Sequence, residues 1–236
     1  MAAAYAEHFE GTEAVARYQR KLSNRIDRIR HRLEADLLAR HAFGDLFDCT
    51  IGVGRFIGLL PRVRRYSGFD ISDEFVEFVR HRFVGTEAAQ GDLTKGIPEP
   101  DDHFDTALCL RSLSAIGHLD TILAEMVRIV RPGGYVIVDY GVRPAQINHL
   151  KLRLTADAED FDGVVARLNA DVVASVRCDA LLVQIKRRGR VFRFFDTGLG
   201  AYVPDGLLLF LERMAVPLLG ERKIVVLRLF HVRQRR

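Results

Sequence analysis

This chain contains a short apolar run that ends in an acid and is followed closely by two glycines. Residues 46–56 read LFDCTIGVGRF, with Asp48 near the end of the run and Gly52 and Gly54 just behind it. A buried parallel strand delivers its carboxyl end in this way into a tight turn, where the main chain must lie against a ligand. The stretch therefore predicts a ligand site at that turn.

From residue 46 onward, short apolar strands alternate with helices. The predicted strands are residues 46–50, 66–70, the residues before Gly91, 104–110 and 135–140, and the predicted helices are 56–60, one capped by Ser72 or Asp73, and one capped by Asp120. This alternation is typical of a parallel sheet that is covered by helices on both faces. It predicts a doubly wound α/β fold, which binds its ligands outside the carboxyl ends of the strands.

Two further segments flank this core. Residues 13–40 predict one long amphipathic helix, which lies on the domain or forms a lid over a cleft, with coiled-coil dimerisation as an alternative. The roughly sixty residues between 141 and 201 exceed an ordinary connection and predict an insertion that builds a substrate pocket. Within it, residues 161–175 predict a helix, and 181–185 with 191–195 predict a β-hairpin.

Composition limits the functional classes. The chain has 236 residues, 48% of them apolar and 28% charged, which suits one large domain. No run reaches the roughly 18 apolar residues of a membrane span and no signal-peptide core follows Met1, so a cytoplasmic protein without a membrane span is expected. Cys49, Cys109 and Cys178 lack the spacing of a disulfide framework or a zinc site, and no metal is expected.

The ends of the predicted strands carry acids. Asp48, Asp70 and Asp92 follow the first three strands, and Arg111 follows the fourth. The glycines lack the Lys-Ser/Thr pair of a phosphate-binding P-loop, and Gly58 comes one residue too late for a dinucleotide fingerprint. A carboxylate beside the glycine turn suits a cationic ligand better than a pyrophosphate.

Four motifs within residues 44–140 resemble those of class I S-adenosylmethionine-dependent methyltransferases of the small-molecule, ubiquinone/menaquinone methyltransferase-like type. Residues 46–56 resemble the family's LDxGCGTGRF stretch, and residues 68–72 resemble its GxDxS stretch, whose acid takes both ribose hydroxyls. Residues 91–93 resemble the GDA stretch that holds the adenine, and residues 129–134 resemble the LKPGG turn. Thr50 stands where the family usually has its first glycine, and Ala115 where it commonly has a histidine.

The resemblance implies a mainly parallel, seven-stranded Rossmann-like sheet and S-adenosyl-L-methionine as the cofactor. It implies a single methyltransferase domain over residues 1–236, divided into an N-terminal helical lid (1–43), a cofactor-binding core (44–140), an inserted cap before the last helix (141–201), and the last helix with the closing strand (202–236). The implied cofactor-binding residues are Asp48, Thr50, Gly52, Gly54, Phe56, Asp70, Ile71, Asp92, Leu93 and Arg111.

The implied activity is methyl transfer from the sulfonium to an oxygen, nitrogen or carbon nucleophile of a small molecule, by in-line displacement. Most of the catalysis can come from holding the two reacting groups in line and excluding water. A base is needed only where the nucleophile must lose a proton early, and the candidates are His118, Tyr140 and His149. Arg111 is expected to pair with an anionic substrate, with the cofactor carboxylate or with an acid of the protein.

Two other functional classes stay open. Basic clusters at residues 62–65, 186–190 and 233–236 permit an RNA or other nucleic-acid methyltransferase, although no separate RNA-binding module is visible. The changes at Thr50 and Ala115 also permit a non-catalytic protein that keeps the fold to bind partners. A small-molecule acceptor is favoured over nucleic acid, and the protein is expected to be a monomer or a homodimer.

Overall fold

The computed structural model of the protein describes residues 13–116, 118–141, 146–147, 152–153, 163–178, 189–218 and 225–233. Its strands are β1 (Gly44–Asp48), β2 (Val63–Asp70), β3 (Glu87–Gln90), β4 (Phe104–Cys109), β5 (Val130–Gly141), β6 (Gln146–Ile147), β7 (Leu152–Arg153), β8 (Ala170–Cys178) and β9 (Val225–Val232). Its α-helices are α1 (Ala14–Ser23), α2 (Arg25–His41), α3 (Asp73–Arg82), α4 (Leu113–Ile116), α5 (Leu119–Ile129), α6 (Gly189–Asp196) and α7 (Asp205–Leu218), with a further helical turn at 163–166. Short 3₁₀ helices lie at Leu93–Lys95 and Leu199–Tyr202.

Seven of these strands form one sheet in the order β3-β2-β1-β4-β5-β9-β8, and β6 pairs with β7 in a second, two-stranded sheet. The strands from β3 to β5 are mutually parallel, whereas β9 runs antiparallel to both β5 and β8. The predicted doubly wound, mainly parallel sheet of seven strands is thus confirmed. Because the strand order reverses between β1 and β4, the carboxyl ends of these two strands flank the crevice where such sheets bind ligands.

Helices cover both faces of the sheet. Side chains alternate along each strand, so Leu46 packs with Leu38 of α2 and Val76 of α3 on one face. Its neighbour Phe47 packs with Met126 of α5 on the other face. Since both faces are closed by apolar contacts, the strand ends are the edge at which polar side chains gather.

The N-terminal segment forms two helices rather than the one predicted over residues 13–40. Asn24 has an extended backbone between α1 and α2, and its side-chain oxygen accepts a hydrogen bond from the Asp27 N–H at 2.9 Å. Asparagine is among the best N-cap residues, because this bond satisfies an N–H group that the first turn leaves free. The local cap at Asn24 therefore outweighs the continuous apolar periodicity.

The residues after the glycines form successive turns rather than the helix predicted at 56–60. Hydrogen bonds join Ile57 N–H to Gly54 O at 3.1 Å and Leu59 N–H to Phe56 O at 3.0 Å, which is the spacing of turns. Gly58 has a φ of +77°. A left-handed residue cannot continue a right-handed helix, so the glycine breaks the segment.

The predicted cap of α3 is confirmed, and that of α5 was wrong. The Ser72 hydroxyl accepts a hydrogen bond from the Phe75 N–H at 3.4 Å and caps α3. At α5 the N-cap is His118, in a left-handed conformation, and Asp120 lies in the first turn. An acid there still interacts favourably with the helix dipole, which explains why the sequence suggested a helix start at Asp120.

The segment before the last helix differs most from expectation. The sequence predicts a helix over residues 161–175. The structure has a helical turn at 163–166, but residues 170–178 form the edge strand β8, which pairs with β9. Residues 189–196 form α6 and not the second strand of a hairpin, while the predicted first strand at 181–185 lies outside the described residues. The predicted last helix and closing antiparallel strand are present as α7 and β9.

Candidate functional site

The glycine turn after β1 contains two glycines in left-handed conformations with different surroundings. At Gly52 (φ +52°), an added Cβ would meet only the Thr50 carbonyl oxygen, at 3.9 Å, so this side of the main chain is open. At Gly54 (φ +69°), a Cβ would lie 2.5 Å from the side chain of Ile57. Gly52 therefore leaves its backbone accessible, whereas Gly54 allows the turn to pack closely.

Asp70, at the end of β2, is held against that turn. Its Oδ2 accepts from the Gly52 N–H at 2.9 Å, and its Oδ1 accepts from the Ser72 N–H at 3.1 Å. The residue is buried, and burial raises the pKa of the carboxyl although the Ser72 and Gly52 N–H bonds oppose the rise. A carboxylate can accept about four hydrogen bonds, so Asp70 keeps acceptor capacity for a ligand.

Asp48, at the end of β1, lies under the same turn. It accepts hydrogen bonds from the Tyr66 O–H at 2.6 Å and from the Thr50 N–H at 3.2 Å. Burial raises the pKa of this carboxyl to about 6, more than its hydrogen bonds lower it. The Thr50 hydroxyl lies 3.9 Å from the Cys109 sulfur, so its side chain is directed towards the end of β4.

Arg111, just after β4, is ion-paired within the protein. Its Nε donates to Glu34 Oε1 of α2 at 2.9 Å, and Arg55 of the glycine turn donates to the other oxygen, Oε2. Glu34 is only 6% exposed. Burial alone would raise the pKa of Glu34, but the Arg111 and Arg55 guanidiniums lower it to about 2. One carboxylate of α2 therefore ties the glycine turn to the end of β4.

His31 extends this network along α2. Its Nδ1 lies 3.1 Å from Nη2 of Arg55, and its ring packs on Phe56 with the centroids 5.1 Å apart. Burial, followed by the charge of Arg55, lowers the pKa of His31 to about 4. Phe56 itself is 3% exposed and belongs to the core beneath α2.

The site continues at the ends of β2 and β3. Asp92 accepts from the Thr94 N–H at 3.0 Å and from its hydroxyl at 2.7 Å, and it caps the short 3₁₀ helix that contains buried Leu93. Although burial opposes the change, the bonds from Thr94 lower the pKa of Asp92. Ile71, between Asp70 and Ser72, is half-buried. The acids that the sequence placed at the ends of β1, β2 and β3 thus occupy one edge of the sheet.

The structure describes the candidate bases only in part. His118 is exposed at the start of α5, with a φ of +54°. Tyr140 lies near the carboxyl end of β5, opposite Val226 of β9, and its side chain is outside the described residues, as is the whole of His149. A proton-transfer role for these residues stays a prediction. Among the described side chains, no group of three or more His, Cys, Asp or Glu residues is arranged to hold a metal.

Sequence reasoning missed several members of the site. Glu34 stands four residues before Leu38 in α2, and both are buried on the same side of the helix, a spacing that could have drawn attention to the acid. Asp139 accepts a hydrogen bond from the Arg111 N–H at the end of β5. Tyr66 is the donor to Asp48. Asp139 and Tyr66 lie in strands in which nothing local indicates a polar role.

The chain is similar to known methyltransferases. A family described as a methyltransferase domain matches residues 47–138. A fatty-acid O-methyltransferase from Mycolicibacterium smegmatis is 36% identical over 88 residues, which cover 36% of this chain and 32% of that protein. A ubiquinone/menaquinone biosynthesis C-methyltransferase from Pseudomonas putida is 26% identical over 127 residues, or 50% of this chain and 49% of that one.

A phthiotriol/phenolphthiotriol dimycocerosates methyltransferase from Mycobacterium tuberculosis is 35% identical over 72 residues, which cover 30% of this chain and 26% of that protein. The chain thus spans between about a quarter and a third of the length of these two curated relatives.

Solved structures share the fold over most of the chain. A geranyl diphosphate methyltransferase in complex with S-adenosylmethionine has a TM-score of 0.61 at 16% identity and covers 94% of this chain and 91% of its own. A [4+2]-cyclase has a TM-score of 0.58 at 18% identity and covers 86% of this chain and 81% of its own. At these identities the likeness shows the fold alone, and the second protein is named for a different reaction.

Proposed function

We propose that this chain transfers a methyl group from S-adenosyl-L-methionine to a small apolar acceptor, because its residues 47–138 match a methyltransferase-domain family and its sheet has the seven strands expected of that fold. The observation that carries the proposal is the placement of Asp70, whose carboxylate is held by main-chain N–H groups beside the open side of Gly52. Acid and glycine turn meet at the carboxyl ends of adjacent strands, where a doubly wound sheet binds a nucleoside ligand.

The residues present fit this cofactor. Asp70 has the acceptor capacity for two ribose hydroxyls, and the open backbone at Gly52 suits the methionine end. Ile71 and Leu93 supply apolar contact for the adenine, beside Asp92. Thr50 leaves this approach open, because its hydroxyl is turned towards Cys109 of β4. When bound, the cofactor supplies a methyl group that is already activated by the sulfonium.

The protein's own residues would then bind and orient the cofactor and the acceptor and exclude water from them. Glu34 fixes Arg55 and Arg111, so the glycine turn and the end of β4 keep their geometry while acceptor and methyl group are brought into line. His118, at the start of α5, is proposed to accept the proton of a hydroxyl or carboxyl nucleophile, with Tyr140 of β5 as the second candidate. The Arg111 guanidinium is ion-paired with Glu34, so Arg111 would have to break this ion pair to contact the cofactor carboxylate directly.

An apolar acceptor is supported by the names of the relatives. A fatty-acid O-methyltransferase is 36% identical to this chain over 88 residues, and a phthiotriol/phenolphthiotriol dimycocerosates methyltransferase is 35% identical over 72 residues. We propose that this chain likewise acts on a lipid-type hydroxyl or carboxyl group.

Incubation with methyl-labelled cofactor and a panel of fatty acids, long-chain alcohols, quinols and RNA tests the proposal. Label is expected in at least one lipid-type acceptor and not in RNA. His118→Ala is expected to reduce turnover by roughly 100-fold without changing the affinity for the cofactor. Label in RNA alone, or in no acceptor although the cofactor binds, would contradict the proposed substrate class.

The affinity for the cofactor is expected to rise with pH. Asp48 has a pKa of about 6 in the free protein, so below that pH its carboxyl is neutral, and above it the carboxylate attracts a cationic ligand. Calorimetric titrations from pH 5 to pH 7 should show roughly a ten-fold tightening that levels off above pH 7. Asp48→Asn is expected to flatten this dependence, whereas Asp73→Asn, an exposed change in α3, should retain it. The same slope in Asp48→Asn would assign the titration to another group.

A further inference from the structure

The segment from α6 to α7 carries an unusual amount of exposed apolar surface. Seven of the eleven large apolar side chains exposed in the described part of the chain fall within residues 194–214, so the exposure is concentrated rather than scattered. They are Phe194 in α6, Leu199 and Tyr202 in the 3₁₀ helix, and Leu207, Phe210, Leu211 and Met214 in α7.

The exposed apolar side chains of α7 lie on one side of the helix. The exposed positions 207, 210, 211 and 214 follow steps of three and four, which put them on one face, and Leu208 and Glu212 are buried on the opposite face. The inner sides of α6 and α7 pack against the same helix, since Val191, Phe195 and Leu208 belong to one apolar cluster with Ile26 of α2. The outer faces of both helices therefore point away from α2.

The charges of this segment are divided by sign. Its three arginines, Arg190, Arg193 and Arg213, are all exposed. Its three acids lie towards the protein: Asp196 accepts from the Arg25 N–H at 2.8 Å, and Glu212 is 2% exposed. The Asp205 side chain is 55% exposed, but it pairs with the Arg25 guanidinium at 2.7 Å and stands three residues before buried Leu208, on the α2 side of α7. The exposed arginines of α6 and α7 therefore accompany the apolar outer face, while the acids of the segment lie on the side that faces α2.

This distribution of charge distinguishes between the possible binding partners of the outer face of α6 and α7. A second copy of the chain would meet the same surface across a two-fold axis, so arginines would face arginines, while Asp196 and Asp205 stay paired with Arg25 on the α2 side. An anionic lipid layer fits both components, because its headgroups attract the arginines while aromatic and aliphatic side chains enter the boundary with the acyl chains. We propose that the outer face of α6 and α7 docks the protein on an anionic lipid surface.

Flotation with lipid vesicles tests the docking face on the full chain. The protein is expected to float with vesicles of phosphatidylcholine and phosphatidylglycerol in equal amounts, to do so less at higher salt, and to remain unbound with phosphatidylcholine alone. Phe210→Ser combined with Leu211→Ser is expected to weaken binding at least about ten-fold, because two apolar anchors are lost. Arg193→Glu combined with Arg213→Glu is expected to abolish the preference for the anionic vesicles.

Matched controls use residues of the same type elsewhere. Val84→Ser changes a side chain that is 99% exposed beyond α3, and Arg40→Glu changes an exposed arginine of α2; both variants should bind vesicles like the wild type. All variants should keep the wild-type affinity for S-adenosylmethionine, which separates docking from the cofactor site. Equal binding to both vesicle types, or undiminished binding of the Phe210→Ser, Leu211→Ser variant, would overturn the proposal. So would a dimer, detected by light scattering, that this variant abolishes.

Discussion

Replacing Asp70 by alanine is expected to weaken the binding of S-adenosylmethionine at least about 100-fold. The carboxylate accepts hydrogen bonds from the Gly52 and Ser72 N–H groups, and its remaining acceptor positions are those proposed for the ribose hydroxyls. Hydrogen bonds to a charged group contribute roughly 1.5–3 kcal/mol each, so the loss of two of them accounts for a change of this size. Isothermal titration calorimetry measures it directly.

A matched control lies in the next helix. Asp73 is exposed in the first turn of α3, and Asp73→Ala should bind the cofactor like the wild type. Asp70→Asn keeps one acceptor oxygen and should give an intermediate affinity. If a folded Asp70→Ala variant bound the cofactor with unchanged affinity, the ligand site drawn at the ends of β1 and β2 would be wrong.

The second large effect is expected at Glu34. Glu34→Gln should lower the free energy of unfolding by about 3 kcal/mol, because it leaves Arg55 and Arg111 without the buried carboxylate that pairs with both. Asp36→Asn, an exposed change on the same helix, should stay within about 0.5 kcal/mol of the wild type. Urea denaturation measures both values.

A double-mutant cycle isolates the ion pair from other effects. Glu34→Gln with Arg111→Met should cost about 1–3 kcal/mol less than the sum of the two single changes, since removing both charges leaves fewer buried groups unpaired. Strict additivity would show that the contact between Arg111 and Glu34 contributes nothing to stability.

The contribution of Glu34 also has a defined pH window. Its pKa of about 2 in the folded protein lies below the ordinary value of 4.5, so its contribution is fully present above pH 4.5 and is lost as the pH falls towards 2. The difference between the wild type and Glu34→Gln should therefore shrink across that range. His31 also makes the folded protein less stable as the pH falls, but in a higher range. Its pKa is lowered from 6.5 to about 4 in the folded protein, so between pH 6.5 and 4 the unfolded chain binds a proton that the folded protein does not.

The local sequence pattern was enough to predict strands β1 to β5, because the glycine turn and the ends of these strands are recognisable from neighbouring residues alone. Asp48 and Asp70 lie where apolar runs stop, and parallel strands bring their carboxyl ends to one edge whatever the connections do. The same local reasoning failed at residues 170–178. Their strand depends on pairing with β9, more than forty residues later in the sequence, and short apolar runs do not distinguish helix from strand by themselves.

The partner of Arg111 shows why the site could be predicted only in part. The residue was recognised at the end of β4, but Glu34 lies 77 residues away in sequence, in a helix whose periodicity suggested only an apolar face. An ion pair of this kind is fixed by how α2 packs on the sheet, and no local motif encodes it. The break at Asn24 is different, because a capping residue was visible within the long amphipathic pattern.

We expect S-adenosylmethionine to bind at the edge formed by the ends of β1, β2 and β3. Isothermal titration calorimetry of the wild-type protein with S-adenosylmethionine, and with its demethylated product, measures this binding. The predicted result is saturable binding with a dissociation constant between about 1 μM and 1 mM, the usual range for a substrate. The absence of binding heat for both compounds at millimolar concentration, with the protein shown to be folded, would contradict it.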